Sequence, residues 1–274
     1  MPETVIHLVR HGQVENPRRV LYGRLPGFHL SRRGQAQADL LAGHFADAPL
    51  AAVVASPLER AQQTAAPIAA AHGLEVRTDL RLIETSNVFE GVAGNVAWYI
   101  VRHPRIWWKL RSLRAPSWGE RNVDMAERVH ACVDAVRAEF PGGHVVLVSH
   151  QAPIWVARLA FERRHLTHWP GFRRCTLASV TTLTFDDDHL TSVAYTEPAA
   201  PALVGPDPTA LEAEGVRPPT AVPDPPATAP PDPAPAPLPD PAEAVGPAPT
   251  PLSDPAPATL PDPGDAVRPD REAR

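Results

Sequence analysis

Short apolar runs alternate with longer amphipathic stretches along most of the chain. The runs TVIHLVR, AAVVAS and HVVLVS are rich in β-branched residues and predict buried strands at 4–10, 51–56 and 144–149. The amphipathic stretches between and after them have the periodicity and cap residues of helices. Helices are predicted at 31–47, 57–72, 122–140 and 151–163, and a closing hairpin at 177–185 and 190–196.

The cap residues and the order of these elements indicate the fold class. Ser31 is a candidate N-cap of the first helix, Pro57 suits the first turn of the second, and Gly73 closes it. The strands are apolar throughout instead of alternating with polar residues, which is typical of a sheet covered on both faces. We therefore predict an α/β protein with three α/β/α layers, in which helices cover both faces of a mostly parallel sheet.

Composition divides the chain into two parts. Of the 35 prolines, 24 lie at or beyond Pro198, and residues 198–274 carry 4 Arg against 12 Asp plus Glu, a net charge of −8. Residues 1–197 carry 22 Lys plus Arg against 19 acids, a net of +3, which with the tail gives the −5 of the whole chain. We predict a folded domain over 1–197 and a disordered tail over 198–274, either a plain tether or a ligand for a Pro-recognising partner.

Charge and cysteine content exclude several classes of protein. A net charge of +3 suits a small phosphorylated substrate but is too weak for nucleic acid. Cys132 and Cys175 show neither CxxC nor zinc-like spacing, so neither a disulfide framework nor a thiolate metal site is predicted. No apolar run approaches the roughly 18 to 20 residues of a membrane span, and no signal-peptide pattern is present. We expect a cytoplasmic protein.

Charged side chains follow three of the predicted strands. Arg10 and His11 end the first, Arg60 lies in the helix that opens after the second, and His150 follows the third. The carboxyl ends of parallel strands meet at one edge of a sheet, so these side chains converge if the strands are neighbours. Arginine forks and helix N-termini favour a phosphoryl group, and a neutral imidazole is a competent nucleophile toward phosphorus. The sequence thus predicts a phosphate site with covalent chemistry.

The three segments that carry these residues form recognisable motifs. LVRHG at 8–12, SPLERAQQTA at 56–65 and VSHQAPI at 148–154 resemble the motifs of the histidine phosphatase superfamily, also called phosphoglycerate-mutase-like. The motifs occur in the right order, and the resemblance spans about residues 4–196. It implies the α/β/α fold and phosphoryl transfer without a metal or a cofactor.

The resemblance also implies roles for single residues. His11 would be the nucleophile and become a phosphohistidine, while Arg10, Arg60 and His150 would hold the phosphoryl oxygens and stabilise the charge of the transferring group. Gln13 departs from the pattern, because many members of the family carry Glu at this position.

A carboxyl group is expected as the general acid. The resemblance implies Glu84, in RLIETSNVFEG, as the group that protonates the leaving oxygen and then helps to activate water. Glu90 is the alternative, although its FEG resembles a Trp-Glu-Gly of structural role. Asn16 and Gly23, together with Gln151 within the third motif, complete the expected phosphate-binding set.

Other histidines and serines receive structural interpretations. His7 follows a strand-like alternation, and His165 and His168 have helical spacing but lack a neighbouring carboxylate, so none is predicted to bind a metal. Ser149 precedes His150, but the sequence around it lacks the G-x-S-x-G motif, so a serine hydrolase is not predicted.

Residues 95–121 have an unusual composition. They hold four of the six tryptophans and six Lys plus Arg against one acid. By resemblance, about 87–121 form a cap insertion over the pocket. Trp98, Trp107 and Trp108 would either pack this cap onto the core, recognise an apolar part of the substrate, or make weak contact with an anionic membrane surface.

The residues after Glu84 favour hydrolysis over isomerisation. Mutases of the family usually carry Arg-His-Tyr-Gly directly after the acid, whereas this chain has Thr-Ser-Asn-Val. We expect a metal-independent phosphomonoesterase. The alternatives are phosphoglycerate-mutase-type transfer and a non-catalytic phospholigand-binding scaffold that uses the Pro-rich tail.

Overall fold

The computed structural model describes residues 3–94, 99, 101–103, 119–166 and 173–200. Six strands form one sheet in the order β3-β2-β4-β1-β5-β6. The first four strands of that order run parallel, and β5 and β6 are antiparallel to their neighbours. The mostly parallel sheet is confirmed. Its strands are β1 Thr4–Arg10, β2 Leu50–Ala55, β3 Val76–Thr78, β4 His144–Ser149, β5 Val180–Asp186 and β6 His189–Thr196.

Helices cover both faces of the sheet. Alternate side chains of each apolar strand point to opposite sides, so Val145 and Leu147 of β4 join one core cluster, whereas Val146 and Val148 join the other. The first cluster packs against α3 and α4, and the second against α1 and α2, which confirms three layers. The helices are α1 Arg32–Phe45, α2 Glu59–Ala71, α3 Asn122–Glu139 and α4 Gln151–Phe161.

The three strands that carry the motifs are direct neighbours. β4 lies between β2 and β1, with Arg10 opposite Ser149 and Ala55 opposite Val148. Because all three strands are parallel, their carboxyl ends meet at one edge, followed by the first turns of α2 and α4. The convergence predicted from the sequence is therefore confirmed.

Most predicted boundaries lie within two residues of the structure, although β5 begins at Val180 and not at 177 as predicted. Ser31 caps α1 through Gly34 N–H, as predicted. The second helix begins at Glu59 and not at Pro57, because Leu58 is still extended at φ −75°, ψ 138°. Residues 56–58 thus form an extended turn at the sheet edge, and Ser56 is fully buried there.

The ends of the described region bear on two expectations. Ala199 is buried in the cluster beneath α1 and α2, two residues beyond the expected domain boundary at 197. The tail from 201 to 274 lies outside the described residues, as do Trp98, Trp107 and Trp108 of the expected cap. In the described part of the chain, none of the helices combines the length and the apolar character needed to cross a membrane.

Candidate active site

His11 leaves β1 in a tightly packed turn. Its ring is fully buried, and Nδ1 lies 2.7 Å from the Gly12 carbonyl oxygen. Since a carbonyl only accepts, Nδ1 carries the proton of the neutral ring and the lone pair lies on Nε2. Gly12 is required here, because a Cβ would lie 2.7 Å from the Gly34 carbonyl oxygen. Gly12 N–H donates to Thr64 Oγ1 at 3.0 Å, which attaches the turn to α2.

His150 occupies the corresponding position at the end of β4. It is the fully buried residue that precedes α4, and its ring centroid lies 5.1 Å from that of His11 at 59° between planes. Its Nε2 is 2.8 Å from Ser56 Oγ. Ser56 Oγ also accepts from Leu58 N–H at 3.4 Å. The extended turn before α2 therefore orients the second imidazole.

Arg60 brings a buried cation from the first turn of α2. It is 0% exposed, donates from Nη2 to the Gly23 carbonyl at 2.6 Å and stacks 4.7 Å from the centre of the Tyr22 ring. Arg10 supplies a second guanidinium, whose Nη1 donates to the Cys175 carbonyl at 2.6 Å. Each of the two guanidiniums donates to a backbone carbonyl, and this charge-assisted bond fixes its orientation.

The two imidazoles of this edge are neutral. Burial lowers the pKa of His11 well below its usual range, and the charges of Arg60 and Arg10 lower it further. Burial also lowers the pKa of His150, followed by Arg60, His11 and Arg10. The positive field that disfavours protonation here favours an anion, as do the N-termini of α2 and α4.

Several buried nitrogen atoms of His150 and Arg60 have no hydrogen-bond partner within the part of the chain that the structure describes. Among the described residues, Nδ1 of His150 and both Nε and Nη1 of Arg60 are buried without a hydrogen-bond partner. An unmatched buried polar group costs about 1–3 kcal/mol. A tetrahedral oxyanion between these groups would satisfy them, so the arrangement is suited to binding a phosphoryl group.

Glu84 follows the short 3-10 helix Leu80–Leu82, which comes after β3, the strand next to β2 in the sheet. It is half-buried, and one carboxyl oxygen accepts from Thr85 N–H at 2.8 Å. Burial raises the pKa of Glu84 although the Thr85 N–H, Arg60 and Arg173 act in the opposite direction. A carboxyl with a raised pKa beside a phosphate pocket has the property required of a general acid.

The remaining expected contacts serve the surrounding loops. Asn16 closes its own loop, accepting from Val20 N–H at 2.9 Å and donating to the Val20 carbonyl at 2.8 Å. Gly23 has φ +42° and lies so close to Glu90 that a Cβ would be 2.3 Å from its Oε1. Gln151 donates weakly, at 3.5 Å, to the Cys175 carbonyl. A phosphate role for Asn16, Gly23 and Gln151 stays a prediction.

Glu90, Gln13 and Ser149 have structural contacts. Glu90 Oε1 accepts from Asn87 N–H at 3.1 Å, and Gln13 Oε1 accepts from Ser31 Oγ at 3.0 Å. Ser149 Oγ donates to the Leu82 carbonyl at 2.6 Å. In the part of the chain that the structure describes, no three His, Cys, Asp or Glu side chains cluster as metal ligands.

Sequence reasoning missed three residues of the site. Ser56 and Thr64 stand within the second motif, so their side-chain contacts were open to prediction from the resemblance. Arg173 lies outside the three motifs. It lies in the loop before β5, and its electrostatic interactions with Glu84 and Arg10 arise from tertiary structure alone.

Fold and site together define an enzyme of the phosphatase or mutase type. Two neutral histidines and two arginines gather at the carboxyl edge of a mostly parallel sheet, in the order of the three motifs. The profile of the histidine phosphatase superfamily (branch 1) matches residues 6–198. The chain belongs to this superfamily.

Three relatives show where the chain lies within it. The uncharacterized protein Rv0525 of Mycobacterium tuberculosis is 54% identical over 204 residues, which are 73% of this chain and 100% of the relative. Phosphoserine phosphatase 1 of Hydrogenobacter thermophilus is 34% identical over 155 residues, 54% of this chain and 71% of its own. The structure of mycobacterial glucosyl-3-phosphoglycerate phosphatase Rv2419c is similar at a TM-score of 0.56 and 31% identity, covering 66% of this chain and 90% of its own.

Proposed function

We propose that the protein is a phosphomonoesterase that works through a phosphohistidine on His11. The observation that carries the proposal is the pairing of a neutral His11, with its lone pair on Nε2, with a buried Arg60 whose Nε and Nη1 await an acceptor. A phosphoryl group held by these donors would lie against the nucleophilic nitrogen. Electrostatic stabilisation of the transferring group is the largest contribution that such a site makes.

In the first step, His11 Nε2 attacks phosphorus as the bond from phosphorus to the ester oxygen breaks. Glu84 gives its proton to the departing oxygen, so an alcohol leaves and a carboxylate remains. Arg10 and Arg60 hold the phosphoryl oxygens through the step. In this mechanism the Ser56 hydroxyl, which accepts from Leu58 N–H, gives its proton to His150 Nε2, and Nδ1 of His150 donates to a phosphoryl oxygen.

In the second step, water replaces the alcohol. The Glu84 carboxylate takes a proton from the water as its oxygen attacks phosphorus, and the bond from phosphorus to His11 Nε2 breaks. Inorganic phosphate leaves, His11 returns to the neutral form and Glu84 is protonated again. Protons and charges therefore balance over the cycle without a further reactant.

Hydrolysis is preferred to mutase-type transfer on two grounds. The segment after Glu84 is Thr-Ser-Asn-Val, without the Arg-His-Tyr-Gly expected of a mutase. Two similar proteins, at 34% and 31% identity, are named phosphatases, one for phosphoserine and one for glucosyl-3-phosphoglycerate. We propose a small phosphorylated metabolite as the substrate. A scaffold without activity is disfavoured, since His11, Arg10, Arg60 and His150 are all present.

Trapping of the phosphoenzyme tests the proposal. The wild-type protein is mixed rapidly with labelled p-nitrophenyl phosphate, quenched without acid, and mapped by mass spectrometry. One phosphoryl group is expected on His11, stable in base and lost in acid. His11→Ala should lack the adduct and lose at least about a thousandfold in kcat. An active His11→Ala protein, or an adduct on another residue, would refute the mechanism.

A further inference from the structure

The backbone of the Glu84 segment is held by side chains from three other parts of the chain. The carbonyl of Arg81 accepts from Arg128 Nη1 at 2.5 Å, and that of Leu82 accepts from Ser149 Oγ at 2.6 Å. The carbonyl of Glu84 itself accepts from Arg24 Nε at 2.6 Å. These bonds determine where the Glu84 carboxyl lies relative to the two histidines.

A single carboxylate connects the two arginines of this set. Glu120 accepts from Arg128 through both oxygens, from Nε at 2.7 Å and from Nη2 at 3.0 Å. Its Oε2 also accepts from Arg24 Nη2 at 3.0 Å. The Glu120 and Arg128 side chains are only 15% and 17% exposed, and Arg24 is 34% exposed. Solvent therefore screens the Glu120–Arg128 pair less than an ordinary surface ion pair.

Glu120 reaches this position through the backbone beside it. Gly119 forms an antiparallel bridge with Asn87, and a Cβ on Gly119 would lie 2.5 Å from the Ser86 carbonyl oxygen. A residue that is distant in sequence is thus placed next to the loop that follows Glu84. The Glu120 carboxylate bonds Arg24 and Arg128, so its effect on the reaction is expected to pass through these two arginines.

We propose that Glu120 is a positioning residue for the acid step, acting through Arg24 and Arg128 on the backbone that carries Glu84. The inference rests on the proposed role of Glu84. Charge-assisted bonds hold the two guanidinium forks in one orientation, and each fork ends on a carbonyl of the acid's segment. Without the Glu120 charge, the two arginines repel each other and the segment shifts. A displacement of about 1 Å can cost about a hundredfold in rate.

The proposal has a signature that a purely structural role lacks. A displaced general acid harms the reaction only where the leaving oxygen needs a proton. Phenyl phosphate and p-nitrophenyl phosphate have nearly the same shape but release oxygens of different basicity. A variant that disturbs Glu84 alone should therefore slow the phenyl ester far more than the nitrophenyl ester.

The experiment compares three full-length variants by kcat/KM on both esters. Glu84→Gln serves as the reference for a lost acid. Glu120→Gln should lower the value for phenyl phosphate about tenfold or more and that for p-nitrophenyl phosphate by less than about threefold. Glu139→Gln is the matched control, because Glu139 makes an equally bidentate pair with Arg77 at 2.7 and 3.0 Å on the exposed surface. It should leave both esters unchanged. Thermal unfolding of each variant reports on folding.

The outcomes separate this inference from the proposed function. Equal losses on both esters in Glu120→Gln, or no loss, would overturn the positioning role while the phosphohistidine of the wild type still supports the mechanism. If wild-type protein forms no adduct on His11, the proposed function fails whatever Glu120→Gln does. If Glu84→Gln shows no dependence on the leaving group, Glu84 is not the acid, and the positioning role fails with it.

Discussion

Two histidine pairs lie on β1 and β4 or directly after them. His11 and His150 follow the carboxyl ends of these strands with ring centroids 5.1 Å apart, whereas His7 in the middle of β1 and His144 at the start of β4 have centroids 5.6 Å apart. Each pair includes a hydroxyl partner, since Ser56 Oγ is 2.8 Å from His150 Nε2 and Thr182 Oγ1 is 3.0 Å from His7 Nδ1. By ring distance and hydroxyl contact alone, the two pairs are nearly equivalent.

Their surroundings differ in charge. His7 packs edge-on against Phe45, and burial, with smaller contributions from His144 and His44, lowers the pKa of His7 to about 4. His11 and His150, after the carboxyl ends of the strands, lie among buried arginines and helix N-termini. We infer from the comparison that two close, buried histidines are not sufficient for the proposed phosphoryl site. Fixed cations are also needed, and parallel strands followed by helices bring helix N-termini to only one edge of the sheet.

The largest effect that separates the pairs should appear in catalysis. His150→Ala removes a donor from the transferring phosphoryl group and should lower kcat about a hundredfold to a thousandfold. The matched variant His144→Ala lies at the opposite end of the same strand and should change kcat by less than about twofold. Steady-state hydrolysis of p-nitrophenyl phosphate measures both. Similar losses in the two variants would contradict the assignment of the activity to the carboxyl edge of the sheet.

The second effect is on stability, and it distinguishes His7. With a folded pKa of about 4 against 6.5 in the unfolded chain, His7 takes up a proton on unfolding between these values. The free energy of unfolding should therefore fall as pH drops below 6.5, with about 2 kcal/mol lost from His7 alone by about pH 5. His11 and His150 add to the fall in the same direction. Urea unfolding at about pH 7.5 and pH 5 should show a smaller difference in His7→Gln than in wild type. An unchanged difference would contradict the buried neutral state of His7.

The smallest effect concerns the two hydroxyls. Ser56→Ala removes the group that orients His150 and should lower kcat/KM about fivefold, equivalent to about 1 kcal/mol. Thr182→Val removes the partner of His7 and should lower the free energy of unfolding by a similar amount, without a loss of activity. Kinetics and urea unfolding of both variants check this crossed pattern. An equal kinetic loss in Thr182→Val would mean that the pairs are coupled through the sheet.

Local signals explain why much of the fold was predictable. The β-branched runs of β1 and β4 gave strand bounds that agree with the structure, and Ser31 marked the start of α1. The predicted start of α2 was wrong by two residues, because Pro57 is compatible with a first helical turn but Leu58 is extended. Helix propensity alone does not predict a turn in which Ser56 contacts His150, a residue distant in sequence.

The sequence by itself determined the class of fold and predicted the residues that are proposed to hold a phosphoryl group. Apolar runs, cap residues and three motifs are local in the chain, and each motif stands directly after a predicted strand. Tertiary structure decided the tautomer of His11, the part of Ser56 in orienting His150, and the presence of Arg173 beside Glu84. It also decided the bond of Arg24 to Glu120, across 96 residues of sequence. Such contacts depend on strand order and loop geometry, because no short-range pattern encodes which distant carboxylate a given guanidinium will meet.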